Sequence, residues 1–338
     1  MKNWFFTDPN DGCFLLNAGL GQYVIKVRPK SGTLTGNNTV RVNNKNGALK
    51  TFSVTTPFIG TSLLTYEVVL PSKAILRIYT VLTFAIERAF RGRYENKDLI
   101  GWKEKASGDC NTTQSAGSRS CTINGDPNVI IDGTDHTRRF VIAHEYGHAN
   151  MRHGAGGRQN DCDVVDVDDS IPGGHRLRGR EISSCAASEG WAHFVSGDVF
   201  NWHGGGSSSP QALIQYVDGG NWDLGPGGGG CPGQYPLPNS ALVGRNALRQ
   251  YVDCSPSSLD PSEGTEMDWA RLWWRYHEDT DYPGSPRGHS KLHDDLVAAG
   301  PWGATSAYFT MFFGLGTTLG QRWASAADDA GVCDGPSC

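Results

Sequence analysis

His144, Glu145 and His148 stand in the order H-E-x-x-H, within His144-Glu145-Tyr146-Gly147-His148. The histidines are four positions apart, a spacing that stacks them on one face of a helix, one turn apart. Two imidazole nitrogens so placed converge on one zinc ion. Glu145, emerging from the same side, is placed to take a proton from a metal-bound water. With ten histidines in 338 residues, chance supplies only about 0.01 such matches. The plainer explanation is a helix with two satisfied core histidines, but that leaves a charged Glu in an apolar stripe with nothing to offset its desolvation.

The element that must carry these residues is legible around them. Phe140-Val141-Ile142-Ala143 is apolar, Asp135 can cap a helix start, and Gly154, Gly156 and Gly157 can stop one. One buried helix is therefore predicted from Asp135 to about Arg152, with Val141, His144 and His148 on a shared stripe. Catalytic zinc keeps three protein ligands and an open position, so a third ligand must come from elsewhere. A third His ten residues after the first, with a Gly at the seventh, would mark a metzincin. Those positions hold Gly154 and Met151, and His153 is one residue out of register. Asp268, after Gly264-Thr265-Glu266-Met267, faintly matches a Gly-Thr…Asp scheme at the wrong spacing.

Ser188-Glu189-Gly190-Trp191-Ala192-His193-Phe194 lies in a second helix-like run, from about Arg180 to Phe200. Its Glu-Gly-Trp-Ala string is similar to the Glu-Gly-Phe-Ala around the third zinc ligand of several gluzincin families. Over about residues 135–200 the chain resembles the gluzincins. The resemblance implies His144, His148 and Glu189 as zinc ligands and Glu145 as general base. It also implies a zincin-like metalloprotease domain, α+β, with a mixed sheet, an active-site helix and a mainly helical C-terminal half. Two departures stand out. In the thermolysin-like branch an Asp four residues after the ligand Glu orients a zinc His; here that position is His193, placed to hydrogen-bond a ligand or to approach the metal itself. A partner for each ligand His is expected physically, with Asp198 or a backbone carbonyl as candidates. The second departure is the separation of His148 from Glu189, long enough to require an insertion. No Gly-x-Met-Glu-Asn string occurs, which favours internal cleavage over an aminopeptidase.

The insertion, residues 154–180, holds Asp161, Asp163, Asp166, Asp168 and Asp169. Closely spaced oxygen ligands suit Ca²⁺, although the EF-hand pattern is incomplete and a solvated acidic loop explains the cluster as well. None of the nine cysteines forms a C-x-x-C pair, which argues against a structural zinc ribbon. Sequence-near pairings are Cys110 with Cys121, Cys162 with Cys185, Cys231 with Cys254 and Cys333 with Cys338, leaving Cys13 odd. Disulfides imply an oxidising compartment. Met1–Thr7 lacks the apolar core of a signal peptide, so the expectation is a secreted protein whose N-terminal leader is missing. A net charge of −5 gives no basic footprint for nucleic acid. The longest apolar stretch, Ala74–Ile86, contains Arg77 and is too short to span a membrane. A monomer acting on a protein or peptide substrate is expected.

Residues 1–70 alternate in strand fashion, as in Tyr23–Val27, Thr39–Val42 and Thr51–Val54, with turn signals at Asp11-Gly12, Asn37-Asn38 and Asn46-Gly47. They predict a small, incomplete β-sandwich module, with residues 71–338 as the catalytic domain. Thr7–Phe14 resembles the strand-turn of prealbumin-like accessory modules; an ordinary hairpin accounts for it equally well. Ile75, Ile78, Tyr79, Leu82, Ile86 and Phe90 predict an amphipathic helix started by Pro71-Ser72 and ended by Gly92. Asp98–Glu104 and Asn128–Ile131 are strand candidates, either of which could pair with a substrate backbone, as the strand beside the active-site helix does in zincins. Gly225–Gly230 has no following lysine or helix, so it reads as a surface loop rather than a phosphate cradle. Helices are predicted near Ser240–Asp253, Glu266–Glu278 and Ala304–Gly331, with Trp269, Leu272, Trp273 and Tyr276 as core.

These readings combine into a secreted zinc endopeptidase. Zinc activates a water, Glu145 accepts its proton, and a further donor must stabilise the oxyanion. Tyr276, His277, His289 and His293 are the candidates for that donor, with His289 taken as the choice. The competing readings are a non-catalytic binding protein on a zincin scaffold and a zinc hydrolase of non-peptide substrates. The intact Glu145 argues against the first.

Overall fold

The computed structural model describes residues 22, 24–28, 39–43, 51–55, 73–87, 98–102, 120–122, 128–131, 135–154, 180–200, 263–278, 289–300, 307–330 and 332. A four-stranded mixed sheet has the order β2-β4-β6-β5: Thr39–Asn43, Asp98–Trp102, Asn128–Ile130 and Cys121–Thr122. β2, β4 and β6 run parallel, and β5 pairs antiparallel with β6 through Cys121 opposite Ile130 and Thr122 opposite Val129. Val40, Val42, Val129 and Ile130 are buried, as parallel strands covered by helices require. A separate antiparallel pair joins β1 (Val24–Val27) to β3 (Phe52–Thr55).

The parallel pairing of β2 with β4 carries the main sheet across the boundary expected at residue 70. Both strand candidates are present as β4 and β6. Each is flanked on both sides, so neither offers the free edge expected of it, and the strand next to β6 is β5, the last in the sheet among the described residues. A two-residue strand carries no alternation to read, which is why the sequence pattern passed over it.

Helix α1 (Lys73–Ala85) buries Ile75, Ile78 and Leu82 at helical spacing and packs on β2, β4 and the next helix. That helix, α2 (Arg139–Gly154), carries the H-E-x-x-H string. Asp135 does not cap it. It opens a separate 3₁₀ turn, Asp135–Thr137, where its carboxylate accepts hydrogen bonds from Ser120 Oγ (2.9 Å) and Arg138 Nη1 (3.2 Å). β7 (Arg180–Ile182) and β8 (Glu263–Thr265) pair antiparallel and lead directly into α3 (Ser183–Phe200) and α4 (Glu266–Glu278). Arg180–Ile182, expected to be helical, is thus strand.

α3 is the centre of the helical half, packed between α2 and α4, and every residue from Ala186 to Val199 is buried. Such a helix has no solvent face and therefore no amphipathic stripe. α4 packs on α7 (Gly316–Ala330), burying Trp269, Leu272, Trp273 and Tyr276 as expected. α5 (His289–Ala299) packs on α2 and on α6 (Ala307–Gly314). The single helix predicted over Ala304–Gly331 is broken between α6 and α7. Gly316 sits there at φ +73°, a left-handed conformation that favours glycine.

Candidate functional site

Glycines set how closely α3 packs on both neighbours, Gly147 at its contact with α2 and Gly190 at its contact with α4. A Cβ on Gly147 would stand 2.8 Å from the Ala192 Cα, and one on Gly190 would stand 2.4 Å from the Trp269 Cβ and 2.8 Å from the Glu266 carbonyl oxygen. The Trp191 indole N–H donates to the Gly147 carbonyl oxygen at 3.1 Å, tying the helices at the same level. Gly147 of α2 and Trp191 of the Glu-Gly-Trp-Ala string thus set the helix spacing that brings Glu189 to the histidines, while Gly190 seats α3 on α4.

The result is a triangle of donor atoms. His144 Nε2, His148 Nε2 and Glu189 Oε2 are each 3.1 Å from the other two. Hydrogen bonds alone do not satisfy this arrangement. Each ring nitrogen carries one proton or one lone pair, and a carboxylate only accepts. If both nitrogens carry protons, these face each other. If only one does, the other nitrogen faces the carboxylate lone pair to lone pair. Protonating Glu189 still satisfies at most two of the three sides. A cation shared by all three atoms removes the conflict. Donors on a tetrahedral zinc with bonds of about 2.0–2.1 Å lie roughly 3.3–3.4 Å apart, so the observed spacing fits that group.

Glu145 is buried beside the triangle on α2. Thr122 on β5 holds it: Thr122 Oγ1 lies 2.7 Å from the Glu145 carbonyl oxygen and 3.1 Å from its Oε2. Cys121, the preceding residue, carries a disulfide bond. Every other cysteine side chain lies outside the described residues.

The surroundings of His144 and His148 differ from expectation. His148 Nδ1 meets Ser188 Oγ at 3.3 Å, so a serine takes the place proposed for Asp198. Asp198 instead stands 4.0 Å from His277 Nε2. His144 Nδ1 is buried with no hydrogen-bond partner among the described residues. His193 is buried with its ring centroid 4.6 Å from that of His144, and its Nε2 lies 2.7 Å from Glu266 Oε2. Burial pushes the His144 pKa down, but the hydrogen bond and charge of Glu189, with the charges of Glu145 and Glu266, outweigh it and hold the pKa above the ordinary histidine value. For His193 burial wins. Its pKa is lowered, the nearby His144 adds to the effect, and the Glu266 hydrogen bond opposes without reversing it.

The remaining candidates separate. Asp268 is buried on α4 and bonded to Arg271 at 3.0 Å, a structural ion pair. The Tyr276 hydroxyl donates to Asp295 at 2.9 Å, joining α4 to α5. His293 is buried on α5, and His277 packs against the Phe194 ring. His289 is the first residue of α5, and its side chain lies outside the described residues, as do the acidic insertion, Ser240–Asp253 and Gly225–Gly230. Among the described residues no helix is long and apolar enough to cross a membrane. Thr122, Ser188 and Glu266 were missed by sequence reasoning, since nothing local marks them. Comparison with family models, with curated proteins and with solved structures finds no match.

Proposed function

We propose that this protein is a secreted zinc-dependent endopeptidase, with His144, His148 and Glu189 as metal ligands and Glu145 as general base. The observation that carries this reading is the triangle of 3.1 Å contacts, which hydrogen bonding alone leaves in conflict. Zinc held there supplies a nucleophile at neutral pH, by lowering the pKa of water toward ~7, and polarises the scissile carbonyl. Glu145, ionised and held by Thr122, accepts the proton of the attacking water and delivers it to the leaving amine. His289 opens the helix that packs on α2, and we assign it as the oxyanion donor. Nine cysteines without metal-pair spacing favour an oxidising, extracellular setting.

Zinc content and casein hydrolysis of the wild type and of Glu145→Gln test the reading. One zinc per chain in both, with hydrolysis falling by about 10²–10⁴ in the variant, is the expected result. Stoichiometric zinc with no hydrolysis of any peptide library turns the assignment toward the binding-protein alternative. Absence of stoichiometric zinc defeats it.

A further inference from the structure

The donor set is larger than the triangle. Glu189 and His193 are four positions apart on α3, as His144 and His148 are on α2. Each pair therefore lies on one helix face, one turn apart. The helices meet with these faces together: the His193 ring is as near to that of His144 as the His148 ring is, with centroids 4.6 Å apart in both cases. His144, Glu189 and His193 offer ligand atoms that all lie within 4.8 Å of one another, a group that His148 joins through its 3.1 Å contacts with His144 and Glu189 and not through His193.

Glu266 gives His193 the second feature of a ligand. A carboxylate accepts, so the 2.7 Å contact is a His193 Nε2–H donating to Glu266 Oε2. That proton assignment leaves Nδ1 with the lone pair. An imidazole whose far N–H is held by a buried carboxylate is the arrangement that orients metal-ligating histidines and raises their basicity. Glu266 is only 2 % exposed, and a carboxylate that deep is costly without compensating charge. Three carboxylates, Glu145, Glu189 and Glu266, are buried around this cluster. A dication reached through His193 offsets Glu266 as well as the two nearer ones.

We propose that His193 is a fourth protein donor to the metal of this centre, held ready by Glu266. The inference rests on the zinc reading above and defines the donor set as two pairs on facing helices. Zinc expands to five ligands, so a fourth protein donor leaves room for substrate.

X-ray absorption of the zinc-loaded wild-type protein counts imidazoles directly and needs no variant. Three are expected, and two would overturn the proposal. In His193→Gln the count falls to two, and zinc affinity, measured by chelator competition, weakens by about 10- to 100-fold. In Glu266→Gln the fold is kept and zinc binds roughly 10-fold more weakly, because the amide no longer enforces the Nε2–H form. An unchanged Kd in a folded His193→Gln, checked by circular dichroism, would also overturn the proposal. If that variant does not fold, the wild-type count decides. A wild type that binds one zinc through two imidazoles defeats this inference alone. A wild type that binds no zinc defeats the peptidase reading with it.

Discussion

Glu145 can act as a base only while it is ionised and correctly placed, and it is buried beside the triangle. The Thr122 hydroxyl has one proton to share between the Glu145 carbonyl oxygen at 2.7 Å and its Oε2 at 3.1 Å, so it fixes the residue's backbone and places its carboxylate. A hydrogen bond of this kind is worth about 1 kcal/mol. Thr122→Val is therefore expected to lower kcat/KM several-fold with zinc content unchanged, while Thr122→Ser keeps most of the activity; steady-state assays with parallel metal analysis check this. A second expectation concerns protons and metal. A ligand imidazole must be neutral to bind zinc, and the carboxylates around His144 hold its pKa above the ordinary value. The proton therefore competes from a higher pH than at an ordinary histidine. Zinc affinity should fall as pH drops through that raised pKa, and competition titrations between pH 5 and 8 read the onset. The convergence of His144, Glu145 and His148 was legible because helical spacing turns sequence separation into geometry, whereas Glu189 came only from the likeness of Glu-Gly-Trp-Ala to the gluzincin string. Thr122 and Glu266 were not legible, since Thr122 lies 23 residues from Glu145 and Glu266 lies 73 from His193. Only tertiary packing closes such distances.

Small residues set how closely α3 packs on α2 and on α4, and so where it holds Glu189. A methyl group on Gly147 would collide with the Ala192 backbone, and one on Gly190 with Trp269 and with the α4 backbone. None of these backbone atoms can swing aside as a long side chain does. Overpacking of this kind costs about 1–3 kcal/mol. Gly190→Ala, with the closer contacts, should lower the denaturation midpoint more than Gly147→Ala. Gly147→Ala should also weaken zinc binding, because it pushes the Glu189 helix away from the histidines; chemical unfolding and chelator competition separate the two effects. Trp191→Phe removes the indole bond to the Gly147 carbonyl oxygen and should cost about 1 kcal/mol. Where apolar spacing was regular the helices were readable: α4 with both its ends, and α1 with its start, its helix ending at Ala85 rather than at the Gly92 expected and Phe90 lying outside the described residues. Reading stopped where periodicity carries no information: α3, buried on all sides, has no stripe, and β5 is too short to alternate. The β2 pairing with β4 joins strands far apart in sequence, and alternation within residues 1–70 cannot say which sheet a strand enters.

At the scale of the molecule, two cores share α3. Its C-terminal neighbours form an aromatic cluster, with Trp191 and Trp273 ring centroids 4.7 Å apart and Trp273 and Trp323 4.8 Å apart. Arg322 is buried there, with its guanidinium over the Tyr276 ring and a hydrogen bond to the Tyr276 carbonyl oxygen. The α2-facing side carries the buried carboxylates and imidazoles instead. The first is built on ring packing, with its buried Arg322 already bonded to protein, and needs no ion; the second concentrates negative charge in a poorly solvated place. Metal binding should therefore stabilise the fold without being required for it. Free zinc at a hundredfold excess over Kd contributes about 2.7 kcal/mol, enough to raise the thermal midpoint by several degrees. Chelation should lower the midpoint by that amount and added zinc should restore it. The near-ultraviolet circular dichroism of the tryptophan cluster should persist in the chelated protein. His144→Ala should remove the zinc dependence of the midpoint while leaving the aromatic signal in place. Loss of that signal on chelation alone would mean that the two cores fold as one unit, with the metal holding both.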